Sequence, residues 1–400
     1  MNTEHPSIAP AEYSPVVQEH WGAVGAMSLC VALLIAAEFM PVSLLTPIAR
    51  DLGASDGQAG LAISISGLFA VVASLLVTRI CAHHERRHVL MVLALVMLIS
   101  LILIALSPNF ALLMLARALL GVVVGGFWAL ATATIMRLVA PDSVPKALGL
   151  MYTGNAVATA FAAPLGSYLG GIIGWRGVFW LLTPLVVLNL LWMAVSLPSM
   201  RSERRVAQVL GLLKRPNVAM AMLGVMLTFA GAFCAFTYFR PFLETRTQTS
   251  LPELSSLLLA LGMAGFVGTT VASATLHRHL YRLLRWLPLM LALITLGLLA
   301  MQHSFWGVAL MLTLWGAINA AIPVAWSAWI ARGIHDAPES GGGLIVAAIQ
   351  LSIMLGAGIG GWLLDHYTIG ATLIGSAALL MVATLVVGNG RRLHTAQVNG

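Results

Sequence analysis

Val31-Ala-Leu-Leu-Ile-Ala-Ala-Glu38-Phe-Met-Pro41-Val-Ser-Leu-Leu-Thr46-Pro47 sets one carboxylate in the middle of an apolar run. A charge at the centre of a bilayer costs about 2.5–3.5 kcal/mol on insertion scales, so it persists where it faces a cavity or a partner. One other charge, Arg117, lies as deep in apolar sequence. The chain around them is 60% hydrophobic and 9% charged, whereas a soluble domain carries about 25% charged residues. No interval between apolar runs reaches the roughly 50 residues that a small soluble domain needs. The fold class read from this is an all-α, multi-pass membrane protein whose function lies within the bundle.

At roughly 20 apolar residues per crossing, twelve transmembrane helices are expected near 22–45, 56–80, 88–107, 110–135, 145–171, 176–197, 217–243, 253–276, 284–302, 305–330, 341–366 and 369–388. Pro108, Pro198, Pro216, Pro252 and Pro338 mark joints, because proline pushes the preceding residue out of the helical region. The expected organisation is a tail (1–20), a six-helix bundle (21–197), a basic linker (198–216), a second six-helix bundle (217–390) and a short tail (391–400). Two six-helix halves about a linker match the repeated-half plan of transporters that rock about a midplane site.

Loop charge gives the orientation. Sixteen Lys and Arg residues, among them Arg86, Arg87, Arg137, Lys146, Arg285 and Arg332, fall on one side, and only Arg50, Arg176, Arg240 and Arg246 on the other. The positive-inside rule then puts both termini and the linker in the cytoplasm. The net charge of +7 is thus spread over alternate loops rather than one patch, so no nucleic-acid partner is expected. The linker segment 201–215 is basic and partly amphipathic, suited either to the anionic inner leaflet or to a solvated tether. Residues 1–20 lack the charged and apolar regions of a secretory signal, so the first span is read as the insertion signal.

Small residues and proline recur in the fifth span, Ala160-Phe-Ala-Ala-Pro164-Leu-Gly166-Ser-Tyr-Leu-Gly170-Gly171. Such residues permit close helix approach or a bend at a gate. This segment resembles the fifth-helix antiporter signature of the major facilitator superfamily, and Arg117-Ala-Leu-Leu-Gly121 with Gly125-Gly126 resembles that superfamily's fourth-helix motif. The run 31–51 around Glu38, together with Gly125-Gly-Phe-Trp128, Val144-Pro-Lys-Ala-Leu148 and Phe236-Thr-Tyr-Phe-Arg240-Pro241, is similar to its bacterial purine ribonucleoside efflux pumps. Sugar exporters share the likeness around Glu38. One departure is that Cys81-Ala-His-His-Glu85 stands before Arg86-Arg87, where the family carries a Gly and an Asp.

The resemblance implies a bacterial inner-membrane exporter, acting as a monomer, that moves a small neutral substrate such as inosine or guanosine against protons by alternating access. Export of sugars or lipophilic drugs is the alternative. Glu38 and Arg117 are the expected coupling residues, with Arg117 favouring the charged form of the acid and desolvation the neutral one. A static charge pair, or a structural contact of Arg117 with backbone carbonyls, is the bland alternative. Pro164, Gly166 and Gly170 are the expected gating residues. Asn155, Asn319 and Gln350 carry amides that can read a purine edge or ribose hydroxyls, or serve as helix–helix hydrogen bonds. Phe127, Trp128, Tyr238 and Trp326 can stack on a base or simply pack. Glu244 and Asp365, near helix ends, are expected to form a solvated rim.

The energy source is expected to be the proton gradient, with no cofactor, because neither Lys146 nor Lys214 closes a Gly-rich phosphate loop. His84 and His88 have one-turn spacing, but the loop reads as solvated and no metal is expected. Neither His-Glu-x-x-His nor Gly-x-Ser-x-Gly occurs, so the chain is not expected to be an enzyme.

Overall fold

In a computed structural model the described residues are 19–81, 84–200, 209–334, 338–390 and 393. The long helices are α1 (Trp21–Leu52), α2 (Asp56–Cys81), α3 (Arg86–Leu106), α4 (Phe110–Leu138), α5 (Val144–Ser196) and α6 (Pro216–Phe236). After the short α7 (Phe239–Phe242) come α8 (Leu251–Ala300), α9 (Phe305–Gly333), α10 (Pro338–His366) and α11 (Ile369–Val387). Nearly every backbone polar group is therefore satisfied within its own segment, as a hydrocarbon medium demands.

Two of these helices are too long for one crossing. The 53 residues of α5 would span about 80 Å at 1.5 Å per residue, against about 30 Å of hydrocarbon. The turn between its two legs is Gly174, whose φ of 75° and ψ of 160° belong to a region kept almost wholly for glycine. The 50 residues of α8 are likewise interrupted at His279. Counting both legs of α5 and α8 gives twelve crossings among the described residues, six on each side of the 201–208 segment.

The halves have separate cores. One runs through Met27, Leu34, Leu90, Met97, Phe127, Ile135 and Phe179. The other runs through Val225, Phe239, Leu291, Trp315, Trp326 and Leu380, and takes in Leu45, Ala49, Ala59 and Ala163 from the first half. One face of the molecule carries the start of α1 beside the end of α4, through His20 N–H to the Leu138 carbonyl at 2.8 Å. It also carries the start of α3 beside the end of α5, through Arg86 N–H to the Met200 carbonyl at 3.1 Å. On the opposite face Arg176 pairs with Asp51 and donates to the Ser107 carbonyl at 2.7 Å, clamping the ends of α1 and α3.

Two helices depart from the spans read in the sequence. α1 runs on to Leu52 and is closed by Gly53 in the left-handed conformation, so Glu38 lies 14 residues, about 21 Å, from its end rather than about seven. The expected span 217–243 stops at Phe236, and a short α7 and a π-turn over Leu243–Thr247 follow. Pro241 explains the break, since it has no N–H to give the Thr237 carbonyl. Most of the linker 201–215 lies outside the described residues; of the rest, Leu212 is buried in the second core.

Because the turn at Gly174 needs a glycine-only conformation, Gly174→Ala is expected to lower stability by about 1–3 kcal/mol. Thermal unfolding in detergent, with Gly149→Ala as a control in ordinary helical geometry, checks it.

Candidate functional site

The two prolines of α1 decide how its surroundings are built. A proline has no N–H for the carbonyl four residues back, so Pro41 frees the Ala37 carbonyl and Pro47 frees that of Ser43. Arginines take both. Arg117 of α4, fully buried, donates from Nη1 to the Ala37 carbonyl at 3.0 Å, from Nε to the Ala62 carbonyl at 3.0 Å and from Nη2 to the Glu38 carbonyl at 3.3 Å. Arg240, which follows α6 in the other half, donates to the Ser43 carbonyl and holds Glu244 at 2.7 Å through Nε.

Glu38 sits between those two freed carbonyls and is 3% exposed. Its carboxyl meets the side-chain amide of Gln350 on α10, in the other half, and lies in the field of Arg117. The structure therefore brings together Glu38, Arg117 and Gln350. All three guanidinium nitrogens of Arg117 bond backbone carbonyls, and no ion pair with the Glu38 carboxylate forms among the described residues.

The other residues singled out in the sequence are scattered. Phe127 is buried in the first core, and Trp326 in the second against Trp329. Trp128 stacks on Tyr152 within its own half, with ring centroids 6.3 Å apart. Asn155 and Asn319 are half-buried on α5 and α9. Tyr238 is at the seam, its hydroxyl donating to the Ala357 carbonyl of α10 at 2.7 Å. Pro164 is buried, Gly166 faces Met40 and Ser43, and Gly170 faces Leu44, so these residues pack α5 closely on α1. Of the histidines, His88 Nδ1 lies 3.5 Å from the Glu85 carboxylate, while His83 is outside the described residues.

Several seam residues escaped the sequence reading. Phe39 stacks on Phe233 across the halves at 5.8 Å and meets Phe236 edge-on at 6.1 Å. On α2, Gly57, Gly60, Ser64 and Gly67 form one helical face at i, i+3, i+7 and i+10 against α10 and Tyr238. That spacing is the signal that could have found them. Asp365 is exposed and Glu244 partly so, as the rim expectation has it, but both are engaged. Glu244 holds Arg240, and Asp365 accepts from Ser55 Oγ at 2.6 Å and from Gly57 N–H at 3.1 Å. Position near a helix end leaves a carboxylate exposed without leaving it unengaged.

Twelve crossings in two six-helix halves, meeting at a buried acid, are the frame against which relatives can be compared. The profile of the Major Facilitator Superfamily matches residues 27–342. The chain belongs to the major facilitator superfamily. It is 45% identical over 386 residues to the "Transcription regulatory protein OpdE" of Pseudomonas aeruginosa, covering 95% of this chain and 96% of that one. It is 40% identical over 374 residues to the "Purine ribonucleoside efflux pump NepI" of Salmonella paratyphi B, covering 93% and 94%. In fold it is similar to a D-xylose-proton symporter, with a TM-score of 0.76 at 15% identity, covering 92% of this chain and 97% of that one. It is also similar to an inward-facing, unoccupied bacterial homologue of the human lysosomal transporter Spinster, with a TM-score of 0.69 at 15% identity, covering 91% and 95%. Both likenesses establish the superfamily fold.

If Arg117 serves the carbonyl that Pro41 frees, the two residues are energetically coupled. Arg117→Met is expected to destabilise the protein strongly, and Pro41→Ala, which restores an N–H for Ala37, to recover part of the loss. A thermal-unfolding double-mutant cycle should read a coupling of about 1–3 kcal/mol; strict additivity would show that the arginine does something else.

Proposed function

We propose that the chain is a proton-coupled exporter of purine ribonucleosides, such as inosine and guanosine, working by alternating access across the bacterial inner membrane. The observation that carries the coupling is an ionisable carboxyl buried at the seam, with Gln350 of the opposite half as its partner. The extended likeness to a purine ribonucleoside efflux pump supports the cargo.

Burying a carboxylate without a close ion pair costs several kcal/mol. A proton on Glu38 removes the charge that the moving seam would otherwise have to bury, so the two end states differ in their need for that proton. Gln350 supports the exchange, because its amide can donate to a carboxylate and accept from a carboxylic acid. A nucleoside's hydroxyls and ring nitrogens seek the same amide, so cargo and proton compete for one partner, as antiport requires. Arg117 acts through its field and by fixing the backbone of α1. The proton gradient supplies the energy and no cofactor takes part. Half-buried Asn155 and Asn319, and Trp128, are the further side chains proposed to meet the cargo. Phe127, Tyr238 and Trp326 would do so only after repacking, and Pro164, Gly166 and Gly170 serve the motion of α5 on α1.

By loop charge, the face carrying the starts of α1 and α3 is cytoplasmic. The name of the Pseudomonas aeruginosa relative favours a second reading, in which the chain alters gene expression. Export of an intracellular ligand would itself do this, and a transport-dead variant separates the two.

In proteoliposomes with an imposed pH gradient, labelled inosine should move in the wild type, and Glu38→Gln should abolish gradient-driven movement with the protein still inserted. Competition by guanosine but not by sugars or lipophilic drugs would confirm the cargo class. Uphill movement retained in Glu38→Gln would overturn the coupling role.

A further inference from the structure

The described contacts between the halves gather toward the face opposite the starts of α1 and α3. There two groups of the second half bind backbone of the first. Asp365, at the end of α10, accepts from Ser55 Oγ at 2.6 Å and from Gly57 N–H at 3.1 Å, at the start of α2. Ser55 is also the cap of its own helix, accepting from Gln58 N–H at 3.0 Å. Its oxygen therefore closes α2 while its proton ties α2 to the other half. Gly57 is needed for this approach, since a Cβ there would fall 2.4 Å from the Asp365 carboxyl and from the Gly361 carbonyl. The second group is Arg240, which occupies the Ser43 carbonyl that Pro47 leaves free.

We propose that Asp365 and Arg240 are gating residues, which latch this face shut by binding backbone groups of the opposite half and must let go in each cycle for cargo to leave. The inference rests on the alternating-access reading above. It also gives a role to the Phe236–Pro241 segment, which the coupling site does not use. Opening the face leaves the first amides of α2 and the Ser43 carbonyl to water, which replaces both partners at low cost. The latch is therefore strong enough to bias the two states and weak enough to release.

Spin labels at exposed Leu61 of α2 and Trp362 of α10 read the opening by electron–electron distance measurement, in whichever cargo is present or in none. Loss of one helix cap shifts an equilibrium by about fivefold, so Asp365→Ala should raise the long-distance population by about that factor. Asp365→Asn separates hydrogen bonding from charge, because Asp56 and Glu244 also bear negative charge nearby. It keeps one acceptor oxygen and should fall between wild type and Asp365→Ala. Pro47→Ala gives the Ser43 carbonyl an intrahelical donor without removing any charge, so it should loosen the latch in a fully helical α1 even where Arg240→Met fails to fold. Unchanged distance distributions in both Asp365→Ala and Pro47→Ala would overturn the proposal. A shifted distribution in a protein that moves no nucleoside would uphold the latch and reject the cargo. Nucleoside export with unmoved distances would do the reverse.

Discussion

Every carbonyl in a bilayer needs a partner, and α1 contains two that its own helix cannot serve. Pro41 and Pro47 release Ala37 and Ser43, and the arginines that answer come from different places. Arg117 belongs to the same half and ties α1 to α4, reaching across to Ala62 of α2. Arg240 belongs to the other half. Within six residues, then, α1 passes from being satisfied by its own bundle to being satisfied by its partner. Glu38 stands at that transition, which is why an acid so deep in apolar sequence meets Gln350 across the seam.

Close approach of backbones makes the transition possible. Besides the α2 face against α10, Gly262 of α8 lies where a Cβ would be 2.3 Å from the Ala160 carbonyl, and Gly171 packs on Leu251. Ala160 is the residue whose carbonyl Pro164 frees, so the seam of α5 with α8 repeats the theme of an unserved carbonyl turned toward the other half. On the face that carries the starts of α1 and α3, the contacts run differently. Arg86 N–H and the Arg87 side chain bond Met200 and Ala194, at 3.1 and 2.6 Å, and so fasten α3 to the end of α5 inside one half. These contacts flank the loop in which Cys81-Ala-His-His-Glu85 replaces the family's Gly and Asp.

Apolar length, proline joints and loop charge made the twelve crossings legible, because those signals survive whichever way a helix is rotated. Rotation itself was not legible. A helix that is apolar all round gives no contrast between its lipid-facing and core-facing sides, so aromatic character alone put forward Phe127 and Trp326, which lie in separate cores. Glu38 and Gln350 could be singled out because a polar residue in such a span needs a partner, though their meeting could not be read from spacing. The α1 prolines were visible too. Reading each as a carbonyl left to be served would have pointed to an arginine as its partner.

The chemistry of the proposed latch suits a gate better than an ion pair between the halves would. Separating a buried ion pair leaves two charges to be solvated, at a cost of several kcal/mol when either stays buried. Separating a carboxylate from a helix start leaves the carboxylate at an exposed rim and the amides in water, which satisfies them in turn. The charge that does stay buried, on Arg117, touches backbone within its own half and need not be uncovered when the halves part. In the proposed cycle Glu38 then changes partners deeper in the bundle than Arg240 or Asp365, and of Glu38 and Arg117 it is the one whose charge a proton can readily erase. In the proposed cycle the electrostatic cost at depth therefore falls on the Glu38 carboxyl, and a proton there would link the motion of the halves to the gradient.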